Sequence, residues 1–168
     1  MKRPLVFAGL AVVLVVFVAA LVAGVGASLP VRHSASGHVT LPAPPDRVFA
    51  VVADVRRYPE WRSNVSRVEV VSETPVRWRE HDGSDAITFE VVESAPPIGW
   101  RVRIADSGLP FGGTWTYELT REGTGTRLEI TEDGEVYNPV FRFVSRYVIG
   151  HTATIDTFLE DLRRRLER

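Results

Sequence analysis

Hydrophobic and polar residues follow two different patterns along the chain. From Pro4 to Val31 no residue is charged, and the stretch from Leu5 to Ala23 is almost entirely valine, leucine, alanine and phenylalanine. About 20 apolar residues in a helix, rising about 1.5 Å each, suffice to cross the hydrocarbon core of a membrane. The first pattern therefore predicts one transmembrane helix, and the second, with alternating apolar and polar residues, predicts a folded domain after it.

The length of the apolar segment bears on whether it is retained. A secretory signal has an apolar core of roughly 7–15 residues before a cleavage site of small residues. Val25, Gly26 and Ala27 offer such a site, but the apolar core here is longer than a signal needs. We therefore interpret residues 1–30 as an uncleaved anchor that crosses the membrane with residues 5–24. A cleaved signal peptide, which would leave a secreted domain, is the alternative.

The charges that flank the apolar segment predict its orientation. Lys2 and Arg3 precede it, and only Arg32 and His33 follow it closely. Positive residues favour the cytoplasmic side, so this asymmetry places the N-terminus in the cytoplasm and the domain outside it. Residues 31–36, with a run of serine, alanine and glycine, are then expected to form a tether to a domain at 37–168.

Beyond the tether, side chains alternate between apolar and polar in six stretches. Because successive side chains of a strand point to opposite faces, each stretch predicts a strand with one apolar face. Six such strands form an antiparallel sheet that is wet on one side. A short strand at Gly37–Leu41 and two short helices, opened by prolines 44–45 and by Tyr58, come before them. The six stretches lie at 67–70, 76–79, 87–91, 100–104, 115–120 and 127–130.

The last part of the chain has the period of a helix. From Pro139 to Leu166, apolar residues recur every three or four positions, which predicts one long helix with a single apolar stripe. That stripe needs an apolar surface to cover, and the inner face of the sheet is the one available. The loop from Ser107 to Gly113, with Leu109 and Phe111 at its tip between glycines, is the expected gate.

The order of strand, two short helices, six antiparallel strands and a C-terminal helix resembles the helix-grip fold of the START and birch-pollen-allergen superfamily, also called SRPBCC. The sequence from Asp54 through Tyr58-Pro59-Glu60-Trp61 is similar to a recurrent signature of that superfamily. The stretch from Thr131 to Pro139 resembles the entry to the last helix in bacterial members named polyketide cyclase/dehydrase. The resemblance implies an α+β fold with a curved sheet of about seven strands, which leaves a cavity beside its C-terminal helix.

Composition and charge exclude several kinds of chemistry. The chain has no cysteine, which excludes disulfides, iron–sulfur clusters, thiolate metal sites and a cysteine nucleophile. Its net charge is −1, without the clustered basic excess typical of a nucleic-acid binder, so no nucleic-acid partner is expected. The histidines show no ligand spacing, and neither a metal site nor a cofactor is predicted.

Three polar residues on the predicted inner surface are candidates for chemistry. His151 lies on the helix stripe, Glu132 continues the inward register of the last strand, and Tyr117 faces inward between Trp115 and Leu119. A buried carboxyl or imidazole can act as an acid or base, and a tyrosine hydroxyl can orient a carbonyl. Each can equally serve the structure: His151 by hydrogen bonding, Glu132 by pairing with an arginine, and Tyr117 by packing.

These patterns support three hypotheses for function. The leading one is a membrane-anchored protein that binds a hydrophobic small molecule or lipid. The second is a cyclase or dehydratase that uses the same cavity, and the third is an envelope interaction module with a filled core. The residues expected to line the cavity are Trp78, Phe89, Val91, Trp100, Val102, Trp115, Tyr117, Leu128, Tyr147, His151 and Ile155.

Overall fold

The computed structural model describes residues 3–167, and side chains from residue 9 onward. The first helix, α1 (Arg3–Ser28), exposes large apolar side chains over most of its surface. Gly9–Ser28 is long and apolar enough to span a membrane, which is compatible with a transmembrane helix or with a signal sequence. Lys2, used to predict the orientation, lies outside the described residues.

The rest of the chain builds one antiparallel sheet and the helices that cover it. All seven strands pair antiparallel in the order β1-β7-β6-β5-β4-β3-β2, which confirms the predicted α+β helix-grip fold. Between the first two strands lie α2 (Pro45–Ala53) and a 3-10 helix (Val55–Glu60). The strands are β1 (Arg32–Leu41), β2 (Arg67–Glu73), β3 (Val76–Asp82), β4 (Asp85–Ala95), β5 (Gly99–Ile104), β6 (Phe111–Glu122) and β7 (Gly125–Val136).

The first strand begins earlier than expected. Residues 32–36, which the sequence suggested as a tether, pair with β7, and Arg32 lies opposite Glu135. Small residues on this strand bring the C-terminal helix close: a Cβ on Gly37 would lie 2.8 Å from Cγ2 of Ile155. Gly37 thus serves close packing in β1, whereas the exposed Ser34 and Ser36 beside it made the segment look like a linker.

The prediction of one helix from Pro139 to Leu166 is wrong. Helix α3 (Pro139–Val144) runs into a π-helical turn (Ser145–Ile149) that ends where the N–H of Gly150 donates to the carbonyl of Ser145 at 3.0 Å. Gly150 has φ of 85°, which a glycine adopts without steric cost. The chain restarts as α4 (Ala153–Leu166). The wide turn and the break shift the apolar stripe, so Val148 is exposed instead of covering the sheet.

Helix α4 and the sheet enclose the core. Ile155, Phe158 and Leu162 on α4 are fully buried against apolar side chains of the inner sheet face. Tyr58, from the signature segment, joins this core: its hydroxyl donates to the carbonyl of Val52 at 2.7 Å, and its ring meets that of Phe158 edge-on. The signature therefore fixes the 3-10 helix between α2 and α4.

Candidate functional site

A cavity of about 430 Å³ lies between the inner face of the sheet and the helices that follow it. This volume is in the range of about 300–1,000 Å³ that small-molecule pockets occupy. Its walls are largely apolar and aromatic because the alternating strands β3 to β7 turn their apolar faces inward. The apolar residues that line it are Tyr58, Trp78, Ile87, Phe89, Val102, Ile104, Phe111, Trp115, Tyr117, Val136, Phe141, Val144 and Ile149.

The structure brings part of the predicted site together. Six of the expected wall residues, together with Glu132 and Phe111, line the cavity: Trp78, Phe89, Val102, Trp115, Tyr117 and His151. The other five predicted wall residues do not line the cavity, because the strands are longer and the last helix is shorter than the sequence suggested. Trp100, Leu128 and Ile155 are fully buried in the core, Val91 packs against that core, and Tyr147 is exposed beside Phe143.

The structure does not place Leu109 and Phe111 together at the tip of a gate loop, as the sequence predicted. Phe111 is the first residue of β6, where it pairs with Val136, and its half-buried side chain lines the cavity. Leu109 is half-buried and does not contribute to the cavity wall. Two exposed residues after the sheet, Phe141 and Ile149, also line the cavity. The cavity therefore opens beside the segment at residues 139–149, which we call the mouth segment.

The closed end of the cavity contains a buried ion pair. Nη1 of Arg62 donates to Oε2 of Glu80 at 2.8 Å, and the two side chains are only 9% and 10% exposed. Nε1 of Trp78 donates to the other oxygen of Glu80 at 2.8 Å. The Arg62 guanidinium also lies over the ring of Tyr58, 4.8 Å from its centroid. Both carboxylate oxygens are therefore satisfied, as a buried charge requires.

A second polar group lies on the cavity wall, and we call it the imidazole–carboxyl cluster (His33, Glu132, Ser145 and His151). The rings of His33 and His151 are stacked with centroids 4.0 Å apart. Nε2 of His33 is 3.8 Å from Oε1 of Glu132, and the Ser145 hydroxyl is 3.2 Å from Nδ1 of His151. His33 thus contacts two of the three polar residues that the sequence singled out, Glu132 and His151.

Gly134 makes room for this cluster. It lies opposite His33 in the pairing of β1 with β7, and a Cβ on it would lie 2.5 Å from Nε2 of His33 and 3.2 Å from Oε1 of Glu132. A side chain at position 134 would push the imidazole away from the carboxyl. The glycine therefore permits the approach of these two groups.

Burial shifts the pKa of each titratable member of the cluster towards its neutral form. Removal from water raises the pKa of Glu132 to about 7, so both protonation states are populated near neutral pH. The pKa of His33 is lowered by burial and then by His151. The pKa of His151 is lowered by burial and then by the positive charge of Arg146. The cluster can therefore accept and donate protons at physiological pH.

Replacing Glu132 with glutamine should stabilise the domain at high pH. Below pH 4.5 the carboxyl is neutral in both the folded and the unfolded chain, and the variant and the wild type should be equally stable. As the pH rises through about 7, the folded wild type must hold a desolvated carboxylate and loses stability. Above that pH, we expect Glu132→Gln to have a free energy of unfolding higher by up to about 3 kcal/mol.

Urea denaturation from pH 4 to 8 tests this expectation. The four tryptophans, at 61, 78, 100 and 115, all lie outside α1, so their fluorescence reports on the domain. His33 and His151 have the opposite effect on stability. Because their pKa values are lowered in the folded protein, they add to its free energy of unfolding as the pH rises. Both proteins share that contribution, and only the difference between them reports on Glu132. The exposed Glu118→Gln is the control; an equal response in both variants would contradict the burial of Glu132.

The sequence analysis missed His33, Arg62 and Glu80. His33 was placed in the tether because β1 is rich in small residues, although His33, Ala35, Gly37 and Val39 do alternate. Arg62 and Glu80 lie 18 residues apart, and their spacing carries no local signal of a pair. Among the described residues, no group of three or more His, Asp or Glu side chains could hold a metal ion.

Comparisons with known proteins identify the family. A family model described as "Polyketide cyclase / dehydrase and lipid transport" matches residues 32–167. No curated protein matches the sequence. A START superfamily protein from Mycobacterium smegmatis is a structural neighbour with a TM-score of 0.65 and 17% identity, over 80% of this chain and 97% of its own.

Two further structures show the same fold. A protein from Thermus thermophilus aligns with a TM-score of 0.66 and 21% identity over 80% of this chain and 97% of its own. The Zhui aromatase/cyclase from Streptomyces sp. R1128 aligns with a TM-score of 0.64 and 18% identity over 82% of this chain and 94% of its own. The resemblance drawn from the sequence is confirmed: the chain belongs to the polyketide cyclase/dehydrase and lipid transport family.

Proposed function

We propose that the protein is a membrane-anchored binding protein that holds a hydrophobic small molecule or lipid between its sheet and its C-terminal helices. The observation that carries this proposal is the cavity of about 430 Å³, with its aromatic walls and its opening beside the mouth segment. A filled-core interaction module would have a cavity below about 100 Å³, too small for the usual ligand pockets. The size of the cavity argues against that alternative.

The polar groups of the cavity suit an amphiphilic ligand. Burial of apolar surface supplies most of the affinity, at about 25 cal/mol per Å². The imidazole–carboxyl cluster offers donors and acceptors on the wall, while the Arg62–Glu80 pair and the Tyr117 side chain lie deeper. Burial raises the pKa of Tyr117, so its hydroxyl stays protonated and can donate to a carbonyl or hydroxyl. A ligand with one polar group is thereby given a fixed orientation.

Contacts between α1 and the domain support a retained anchor. Gly26 is buried against the backbone of Pro139 at the start of α3, and a side chain at position 26 would overlap the Pro139 carbonyl. Nη1 of Arg142 donates to the carbonyl of Leu29 at 2.7 Å. The packing of Gly26 on Pro139 would be lost from a chain cleaved after Ala27, whereas the bond to Leu29 would remain. We infer the orientation from the flanking charges instead: with Lys2 and Arg3 before the span, the N-terminus lies in the cytoplasm and the domain on the other side of the membrane.

Native mass spectrometry of the full chain, purified in a mild detergent, tests the proposal. We expect a protein of 18.7 kDa, which retains α1, carrying one small molecule that organic solvent releases. A shorter chain would contradict the anchor. A bare chain that binds neither oleic acid nor a lipid extract of the host would contradict the binding function.

The imidazole–carboxyl cluster favours one alternative, a cyclase or dehydratase. Glu132 and the two histidines could move protons on a substrate held in the cavity, since a general acid or base works best with a pKa near the working pH. Glu132 faces His33 at 3.8 Å, however, and not His151 as an acid–base pair of those two would require. An enzyme that releases its product would be purified empty, which the mass measurement distinguishes from an occupied binding protein.

A further inference from the structure

The mouth segment (residues 139–149) exposes a group of large apolar side chains. Val148 is 71% exposed, and Val140, Phe141, Tyr147 and Ile149 are also exposed. Val140 and Phe141 belong to α3, and Tyr147, Val148 and Ile149 belong to the π-helical turn that follows it. Contiguous exposed apolar residues mark a surface that contacts a partner or a membrane. Since Phe141 and Ile149 also line the cavity, this surface is part of the cavity rim.

The position of α1 indicates which partner covers this surface. Val22, Ala23, Val25 and Gly26 are partly or fully buried although the rest of α1 is largely exposed, and Gly26 contacts α3. These residues belong to the last turns of the candidate span, Gly9–Ser28. Helix α3 therefore lies at the depth at which the span leaves the hydrocarbon core.

The residue types of the mouth segment suit the boundary between the hydrocarbon core and the lipid headgroups. Tyrosine is typical of the membrane interface, where its apolar ring and its polar hydroxyl are both accommodated, and phenylalanine is common on the apolar face of interfacial helices. Phe143 and Tyr147 pack together with centroids 5.0 Å apart. Arg146, which directly precedes Tyr147 in the sequence, is exposed, and a positive charge at this depth can meet lipid headgroups.

We propose that the mouth segment is seated in the interfacial layer of the membrane that α1 spans, so that the cavity opens towards lipid. This inference rests on the proposed anchor. A hydrophobic ligand then enters past Phe141 and Ile149 from the bilayer without crossing water. The occupant of the exposed apolar surface is the bilayer itself.

Single spin labels on the full chain test this arrangement, since the chain has no cysteine of its own. We choose Val148→Cys in the mouth segment, Val15→Cys in α1, and Ile98→Cys as the matched control. Ile98 is 64% exposed and lies at the far end of the sheet, where Gly99 pairs with Glu118 instead of with the Phe111 end of β6. The proteins are reconstituted in vesicles of phosphatidylcholine and phosphatidylglycerol. Power saturation then compares oxygen, which partitions into the bilayer, with a nickel chelate that stays in water.

We expect the labels at 148 and 15 to be relaxed more by oxygen, and the label at 98 more by nickel. If the label at 148 is relaxed more by nickel, as at 98, while the label at 15 is relaxed more by oxygen, this inference is wrong but the anchor is supported. If position 15 favours nickel, the anchor is wrong and the inference fails with it. A label at 148 that neither reagent reaches would mean that another protein copy covers the surface, which also overturns the inference.

Discussion

Replacing Trp115 with alanine should weaken the binding of oleic acid by about 10- to 60-fold. The half-buried ring of Trp115 lines the cavity beside Tyr117, with the ring centroids 6.4 Å apart. Losing about 60–100 Å² of apolar contact with a ligand costs about 1.5–2.5 kcal/mol at 25 cal/mol per Å². Since each 1.4 kcal/mol corresponds to a factor of ten, the dissociation constant should rise by that range. Titration of oleic acid followed by native mass spectrometry gives the bound fraction directly.

Trp61→Ala is the matched control for this substitution. Trp61 is also half-buried, but it packs on Tyr58 and Phe158, each with centroids 5.3 Å away, and is not part of the cavity wall. Both substitutions remove an indole ring and should destabilise the domain, whereas only Trp115→Ala should change the affinity. Equal affinities of Trp115→Ala and the wild type would show that ligands do not occupy this cavity.

Replacing Arg62 with methionine should lower the free energy of unfolding by about 3–5 kcal/mol, because it leaves the buried Glu80 without its cation. Glu80 would keep only the hydrogen bond from Nε1 of Trp78. Methionine keeps the hydrocarbon part of arginine, but it loses the guanidinium that lies over the rings of Tyr58 and Phe158, so the expected loss includes these cation–π contacts. Urea denaturation at neutral pH, followed by tryptophan fluorescence, measures the loss.

Two further variants separate the charge from the packing. Arg57→Met removes an exposed partner of Glu60, 2.7 Å away, and should cost less than about 1 kcal/mol. The double variant Arg62→Met/Glu80→Gln removes the stranded charge and should recover much of the lost stability, which a double-mutant cycle quantifies. A loss below about 1 kcal/mol for Arg62→Met alone would mean that water reaches the closed end of the cavity.

The alternation of side chains was sufficient to predict the sheet and five of the residues that line the cavity. Trp78, Val102 and Trp115 face inward in the structure because side chains alternate strictly along a strand. That alternation holds even where the predicted ends of the strand are wrong. Trp100 and Leu128 share that inward face, yet both are buried in the core, where Trp100 stacks on the ring of Trp78. Whether an inward residue lines the cavity or fills the core depends on where the helix lies, and periodicity carries no such information.

The remaining differences have separate physical causes. The break at Gly150 had a signal, since a glycine inside a helical pattern often marks an end, but the apolar stripe continued past it and outweighed it. The contact of His33 with Glu132 depends on pairing between β1 and β7, whose residues are about 100 positions apart. The Arg62–Glu80 pair likewise forms only when the end of the 3-10 segment meets β3. Long-range pairing of this kind leaves no trace in local spacing.

The break at Gly150 divides the C-terminal region into the mouth segment and helix α4, which contribute to different properties of the protein. Helix α4 holds the fully buried Ile155, Phe158 and Leu162, and so governs the equilibrium stability of the domain. The mouth segment contributes no fully buried residue and is joined to α1 instead of to the core. Its displacement would therefore expose little core surface. If a ligand enters as proposed, we therefore expect its exchange rate and the stability of the fold to depend on different residues, so that each can change without disturbing the other.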